Sequence, residues 1–91
     1  MYTRQTTIAN VTGLHARPAS DFIAAANKFA SDITIRRLQG EDTEEANAKS
    51  IVHLLTLGLS QGEDVEISAE GDDEQLAVDS LIALIDSKFG E

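Results

Sequence analysis

Apolar side chains recur along this chain with two periods, and the switches between them mark out its elements. Tyr2 to Val11 is rich in Thr with apolar Ile8 and Val11, which suits a strand. From Ala16 onward Ala19, Phe22, Ile23, Ala26 and Phe29 or Ala30 follow i, i+3, i+4, i+7, while Asp21, Asn27 and Lys28 fall elsewhere. That spacing predicts an amphipathic helix anchored on a sheet by Phe22, Ile23 and Phe29. The period drops to two across Ser31 to Leu38, where Ile33 and Ile35 alternate with Asp32, Thr34 and Arg36, the signature of a half-buried strand. Gly40 then marks a turn, and Glu41-Asp42-Thr43-Glu44-Glu45 reads as an acidic hairpin extension before Ala46.

Ser50 has the side chain preferred at a helix N-cap, and Ile51, Val52, Leu54, Leu55 and Leu57 form a short apolar helix ended by a left-handed Gly58. Its apolar residues occupy more than one face. Leu54 and Leu57 are expected inside, which leaves some of Ile51, Val52 and Leu55 outside as an apolar patch. Gln61-Gly62-Glu63 is a turn, and Val65, Ile67 and Ala69 alternate with Glu66, Ser68 and Glu70 as the clearest strand. Asp72 with Gln75 resembles a capping box opening a last helix, whose buried stripe is Val78, Leu81, Ile82, Ile85 and Phe89. Lys88 suits the negative end of that helix and Gly90 can close it.

The resulting order, βαββαβα, fits one α+β domain over residues 1–91, with a four-stranded antiparallel sheet covered on one face by three helices. Period and composition alone do not separate this from other small ferredoxin-like domains. The absence of cysteine excludes a disulfide framework, a thiolate metal site and a cysteine nucleophile. Met1-Tyr2-Thr3-Arg4-Gln5 lacks the apolar run of a signal peptide, and no segment approaches a membrane span, so a soluble cytoplasmic protein is expected. Net charge is −9 and uneven: residues 1–40 hold five Lys/Arg against two Asp/Glu, whereas residues 41–91 hold two against fourteen. Such asymmetry orients an approaching partner and disfavours broad nucleic-acid binding.

Chemistry concentrates in Thr12-Gly13-Leu14-His15-Ala16-Arg17-Pro18-Ala19-Ser20, which joins the first strand to the first helix. Gly13 permits the tight turn, and Pro18 suits a first helical turn, whose backbone N–H groups lack intrahelical acceptors. Proline disfavours the α conformation at the preceding residue, so strain at Arg17 or a later helix start is expected. Neutral imidazole is a nucleophile, and a phosphoryl group attached to His15 would meet the open N–H groups of Ala16 and Arg17 and the Arg17 guanidinium. A plain histidine cap beside a surface arginine accounts for the same residues.

Gly13-Leu14-His15-Ala16-Arg17-Pro18-Ala19 resembles the active-site signature of HPr, the histidine phosphocarrier of the phosphoenolpyruvate:sugar phosphotransferase system. Asn47-Ala48-Lys49-Ser50-Ile51, followed by Leu57-Gly58, resembles that family's regulatory-serine helix, and Gln61-Gly62 with Ile67-Ser68-Ala69-Glu70-Gly71 continues the likeness. The resemblance implies an open-faced sandwich. It further implies a carrier, rather than a self-contained enzyme, that accepts a phosphoryl group on His15 Nδ1 from phosphorylated enzyme I and passes it to sugar-specific IIA domains. Arg17 is then catalytic, Ala16 and Arg17 bind the phosphoryl group, and Ser50 is a regulatory phosphorylation site. Ser20, Lys49, Ile51, Val52 and Leu55 form the docking surface. Neither cofactor nor metal is called for, and a monomer is expected.

A regulatory binding module is the competing class: it would act mainly through the Ser50 helix toward a serine kinase or phosphatase or a transcription factor. His15 and Arg17 argue against a purely regulatory protein. A nucleic-acid-binding or acylphosphatase-like domain would need strand aromatics or an overall basic surface, which the chain lacks. His53 departs from the family pattern and reads as a surface residue.

Overall fold

The computed structural model describes residues 1–38 and 44–90. Its elements are β1 (Tyr2–Thr7), α1 (Ala16–Ala26), β2 (Asp32–Arg37), β3 (Glu45–Asn47), α2 (Ile51–Leu57), β4 (Asp64–Glu70), α3 (Glu74–Asp86) and a 3₁₀ turn, Lys88–Gly90. The strands form one antiparallel sheet in the order β1-β4-β2-β3. Period two operates as the sequence dictates: Ile33, Ile35, Ala46, Val65, Ile67 and Ala69 are buried toward the helices. The opposite face is polar, with Thr3 donating to Ser68, Gln5 to Glu66 and Arg36 to Glu66 across neighbouring strands. This is the open-faced sandwich.

Phe22 of α1, Leu54 and Leu57 of α2, and Ala77, Val78, Leu81, Ile82 and Ile85 of α3 complete the core. On β1 the helix-facing positions are polar instead. Tyr2 Oη and Arg4 donate to Asp79, and Thr6 Oγ1 to Asp86, pinning this edge strand to α3.

Several boundaries differ from the sequence pattern. The first strand stops at Thr7 rather than Val11, because Asn10 to Gly13 folds into a turn closed by the Gly13 N–H on the Asn10 carbonyl at 3.1 Å. Helix α1 ends at Ala26, not near Ala30. Its last amides shift to i−3 acceptors (Lys28 on Ala25, Phe29 on Ala26), and the Lys49 ammonium takes the Phe29 carbonyl at 2.6 Å. Glu45 belongs to β3 rather than to a loop, and Glu44 pairs with Arg37 at 2.7 Å. Glu41, Asp42 and Thr43 of the expected acidic extension, and the Gly40 turn, lie outside the described residues.

No capping box forms at Asp72. The N-cap of α3 is Asp73, whose carboxylate instead accepts from the Ala30 and Ser31 N–H groups and from Ser31 Oγ, while Glu74 accepts from Gly71 N–H. The stripe of α3 stops at Ile85. Phe89 sits beyond the helix in a left-handed turn, half-buried against the core, so Lys88 and Gly90 do not terminate α3 itself.

Candidate functional site

The segment before α1 is tied down on one side only. The Leu14 N–H bonds the Leu59 carbonyl at 2.9 Å, Leu14 is fully buried, and Asn10 Nδ2 donates to the Gly13 carbonyl at 2.8 Å and to Thr12 Oγ1 at 3.1 Å. At Gly13, φ is +65° and a Cβ would stand 2.4 Å from the Leu59 carbonyl oxygen, so only glycine fits this approach. A fixed floor of buried backbone thus carries an exposed His15.

His15 is the N-cap of α1, in extended conformation with φ −125° and ψ 156°, and its side chain caps no amide. Arg17, where Pro18 was expected to cause strain, has no positive φ, and α1 begins at Ala16 rather than later. Ala16 takes φ +51°, a left-handed value unfavourable for a residue with a Cβ. Pro18 is buried, whereas His15, Ala16, Arg17 and Ser20 are exposed. Among the described residues Arg17 has no hydrogen-bond or ion-pair partner, while Arg4, Arg36 and Arg37 each meet a carboxylate. The start of α1 carries no acidic residue in its first turn. It combines unsatisfied N–H groups, the positive helix end and a free guanidinium beside an exposed imidazole, a set able to hold a dianion against a nucleophile.

The second group of expected site residues lies on α2. Ser50 is its N-cap, and its Oγ accepts from the His53 N–H at 3.3 Å. Leu54 and Leu57 point inward, and Ile51, Val52 and Leu55 remain 39%, 72% and 44% exposed, the division expected from their spacing. Lys49 is half-buried because its ammonium closes the end of α1. His53 is exposed, as expected, but is not idle: its Nδ1 accepts from the Asn47 N–H at 3.2 Å and steadies the turn before Ser50.

Arg37 holds α2 from beneath. It donates to the Leu57 carbonyl and pairs through Nε with Glu63 at 2.8 Å, although this last contact is misaligned for a hydrogen bond. Asn10 and Arg37 were not singled out as site residues by sequence. Asn10 opens a Gly-containing turn, a typical place for such a side chain, while Arg37 carries no local mark.

Known proteins match the whole of this frame. The family model described as "PTS HPr component phosphorylation site" matches residues 2–87. The phosphocarrier protein HPr of Haemophilus influenzae is 45% identical over 85 residues, 93% of this chain and 95% of the relative. The phosphocarrier protein NPr of Proteus mirabilis is 41% identical, over 97% of this chain and 94% of its own. HPr-C-His from Thermoanaerobacter tengcongensis has a crystal structure that superposes with a TM-score of 0.91 at 48% identity, covering 100% of this chain and 98% of that one. A second HPr structure from that organism, described as a dimer, gives 0.75 at 50% identity with 94% of each chain covered. No helix among the described residues is long and apolar enough to cross a membrane. With fold, length and both sequence motifs in agreement, the chain belongs to the HPr family of phosphocarriers of the phosphotransferase system.

Proposed function

We propose that this phosphocarrier accepts its phosphoryl group on His15 from phosphorylated enzyme I and delivers it to IIA domains in the cytoplasm. The exposed, uncapped start of α1 beside a free Arg17 carries this reading. His15 Nδ1 attacks phosphorus as the donor's bond to phosphorus breaks, so one N–P bond forms for the one lost. The Ala16 and Arg17 N–H groups and the guanidinium balance the charge of the moving group. An open surface site holds that group only moderately, as reversible transfer requires. The site lies within one chain, which makes the monomer the proposed working unit; sedimentation tests this, since a relative is described as a dimer.

Incubation with phosphoenolpyruvate and cognate enzyme I, read by intact mass, tests the assignment. The parent and His53→Ala proteins take up one acid-labile, base-stable phosphoryl group, and His15→Ala takes up none. Uptake by His15→Ala with the label on His53 overturns it.

Ser50 is proposed as a regulatory site for a serine kinase and phosphatase, because its hydroxyl lies at the edge of the exposed Ile51, Val52 and Leu55 patch. A phosphate there is compatible with the helix dipole but must be desolvated when a partner covers the patch. With Ser20 and Lys49 at its margin, this patch is the proposed docking surface for enzyme I and IIA, and the modified form would offer a transcription factor a different one. Ser50→Asp weakens association with enzyme I while leaving the thermal midpoint near that of the parent. Parent-like docking of Ser50→Asp at low salt reduces Ser50 to a cap.

A further inference from the structure

After α3 ends at Asp86 the chain does not run on outward. Lys88, Phe89 and Gly90 take φ values of +59°, +55° and +80°, three consecutive left-handed residues of which only one is glycine. Non-glycine residues adopt this conformation when surrounding contacts hold them there. Here the contact is Phe89, which folds back half-buried against the core. It emerges at a particular place. Phe89 and Gly90 border one open depression of about 380 Å³ together with Arg17, Pro18 and Asp21, the first turns of α1.

Arg17 is a long side chain that nothing else among the described residues fixes. Left alone, a guanidinium on three methylenes samples many rotamers, and each transfer must first restrict it. Phe89 borders the same depression as Arg17, so its ring is placed to offer the arginine stem an apolar wall and to narrow that freedom. We infer that Phe89 is a positioning residue for Arg17, held against α1 by the left-handed turn so that the guanidinium is presented toward His15. The inference rests on the carrier reading of Arg17 and assigns to the C-terminal turn a role in transfer.

A double-mutant cycle on the full chain tests it, with transfer from enzyme I measured at saturating donor. Phe89→Ala slows transfer about 10-fold, within the cost of a small misplacement of a charged group, and Phe89→Leu, which keeps the wall, restores most of the rate. In the Arg17→Ala background Phe89→Ala has no further effect, because its target is gone. Losses that multiply overturn the inference and leave Phe89 as packing. A readout free of activity runs beside it: the Arg17 Nε–H and Cδ proton resonances shift when Phe89→Leu removes the ring current, and unchanged resonances overturn the inference even if Phe89→Ala fails to fold. If Arg17→Ala alone transfers like the parent, the carrier role of Arg17 fails, while the resonance shift still decides whether Phe89 positions it.

Discussion

The starts of α1 and α3 face the same electrostatic problem and resolve it oppositely. At α3, two carboxylates sit at the positive helix end: Asp73 bonds the Ala30 and Ser31 amides and the Ser31 hydroxyl, and Glu74 bonds Gly71 N–H and pairs with the N-terminal amine at 3.2 Å. At α1 the corresponding place holds a cation, Arg17, and no carboxylate in the first turn, a histidine that caps nothing, and a strained Ala16. The first arrangement satisfies itself. The second leaves its positive end open to an anion from outside, which is the contrast that the proposed phosphoryl site at α1 builds on.

Moving the backbone under His15 has the largest expected effect on this contrast. Gly13→Ala forces a Cβ against the Leu59 carbonyl at a left-handed position, and costs about 2–4 kcal/mol of stability from overpacking and backbone strain together. Transfer falls as well, since the floor of the site shifts. Urea unfolding beside single-turnover kinetics checks both; a parent-like midpoint would mean that the loop is not clamped.

Swapping charges sharpens the contrast next. Arg17→Glu gives α1 the kind of charge that α3 already has, so transfer drops at least about 100-fold while the thermal midpoint rises slightly. A fall in the midpoint would show that Arg17 stabilises the fold, contrary to its lack of partners. Ala16→Gly relaxes the left-handed residue and gains up to about 1 kcal/mol, which denaturant titration resolves.

Acid should loosen the contacts made at the start of α3. The hydrogen bonds from Ser31 and from the Ala30 amide hold the Asp73 carboxyl below its usual range, and the Gly71 amide followed by the N-terminal amine do the same for Glu74. Groups lowered in the folded state contribute stability that is fully present above their unfolded values, about 3.9 and 4.3. That contribution is lost as pH falls through the lower folded values. Amide exchange at Ala30 and Ser31 should therefore quicken selectively below about pH 4. Uniform quickening across the sheet would remove Asp73 from this role. Smallest of all, Ser31→Ala deletes one of the three bonds and costs about 1 kcal/mol.

What was legible in the sequence follows from the range of the forces involved. Alternation at Ile33, Ile35, Val65, Ile67 and Ala69 and the stripe from Phe22 to Ala26 are set by local period, and they gave the sheet, the helices and the outward Ile51, Val52 and Leu55 correctly. The turn that leads into α1 was readable because Gly13, His15, Arg17 and Pro18 are neighbours. Contacts between distant residues were not. Asp73 abandons its own helix for Ser31, forty-two positions away, and the Lys49 ammonium reaches back to the Phe29 carbonyl, twenty positions away. Phe89 continues the helical period of α3 in sequence, yet the chain turns left-handed before reaching it. Arg17, the residue that Pro18 restricts, has no positive φ; the left-handed residue is Ala16, two positions before the proline and outside its direct steric reach.

The central claim is that the open amides of α1 receive the phosphoryl group. Amide proton shifts recorded before and after phosphorylation by enzyme I test it most directly. The Ala16 and Arg17 resonances should move strongly downfield as their N–H groups bond the new oxygens, with the Ser50 and His53 amides nearly still. Unmoved Ala16 and Arg17 resonances in a fully phosphorylated sample would contradict the account.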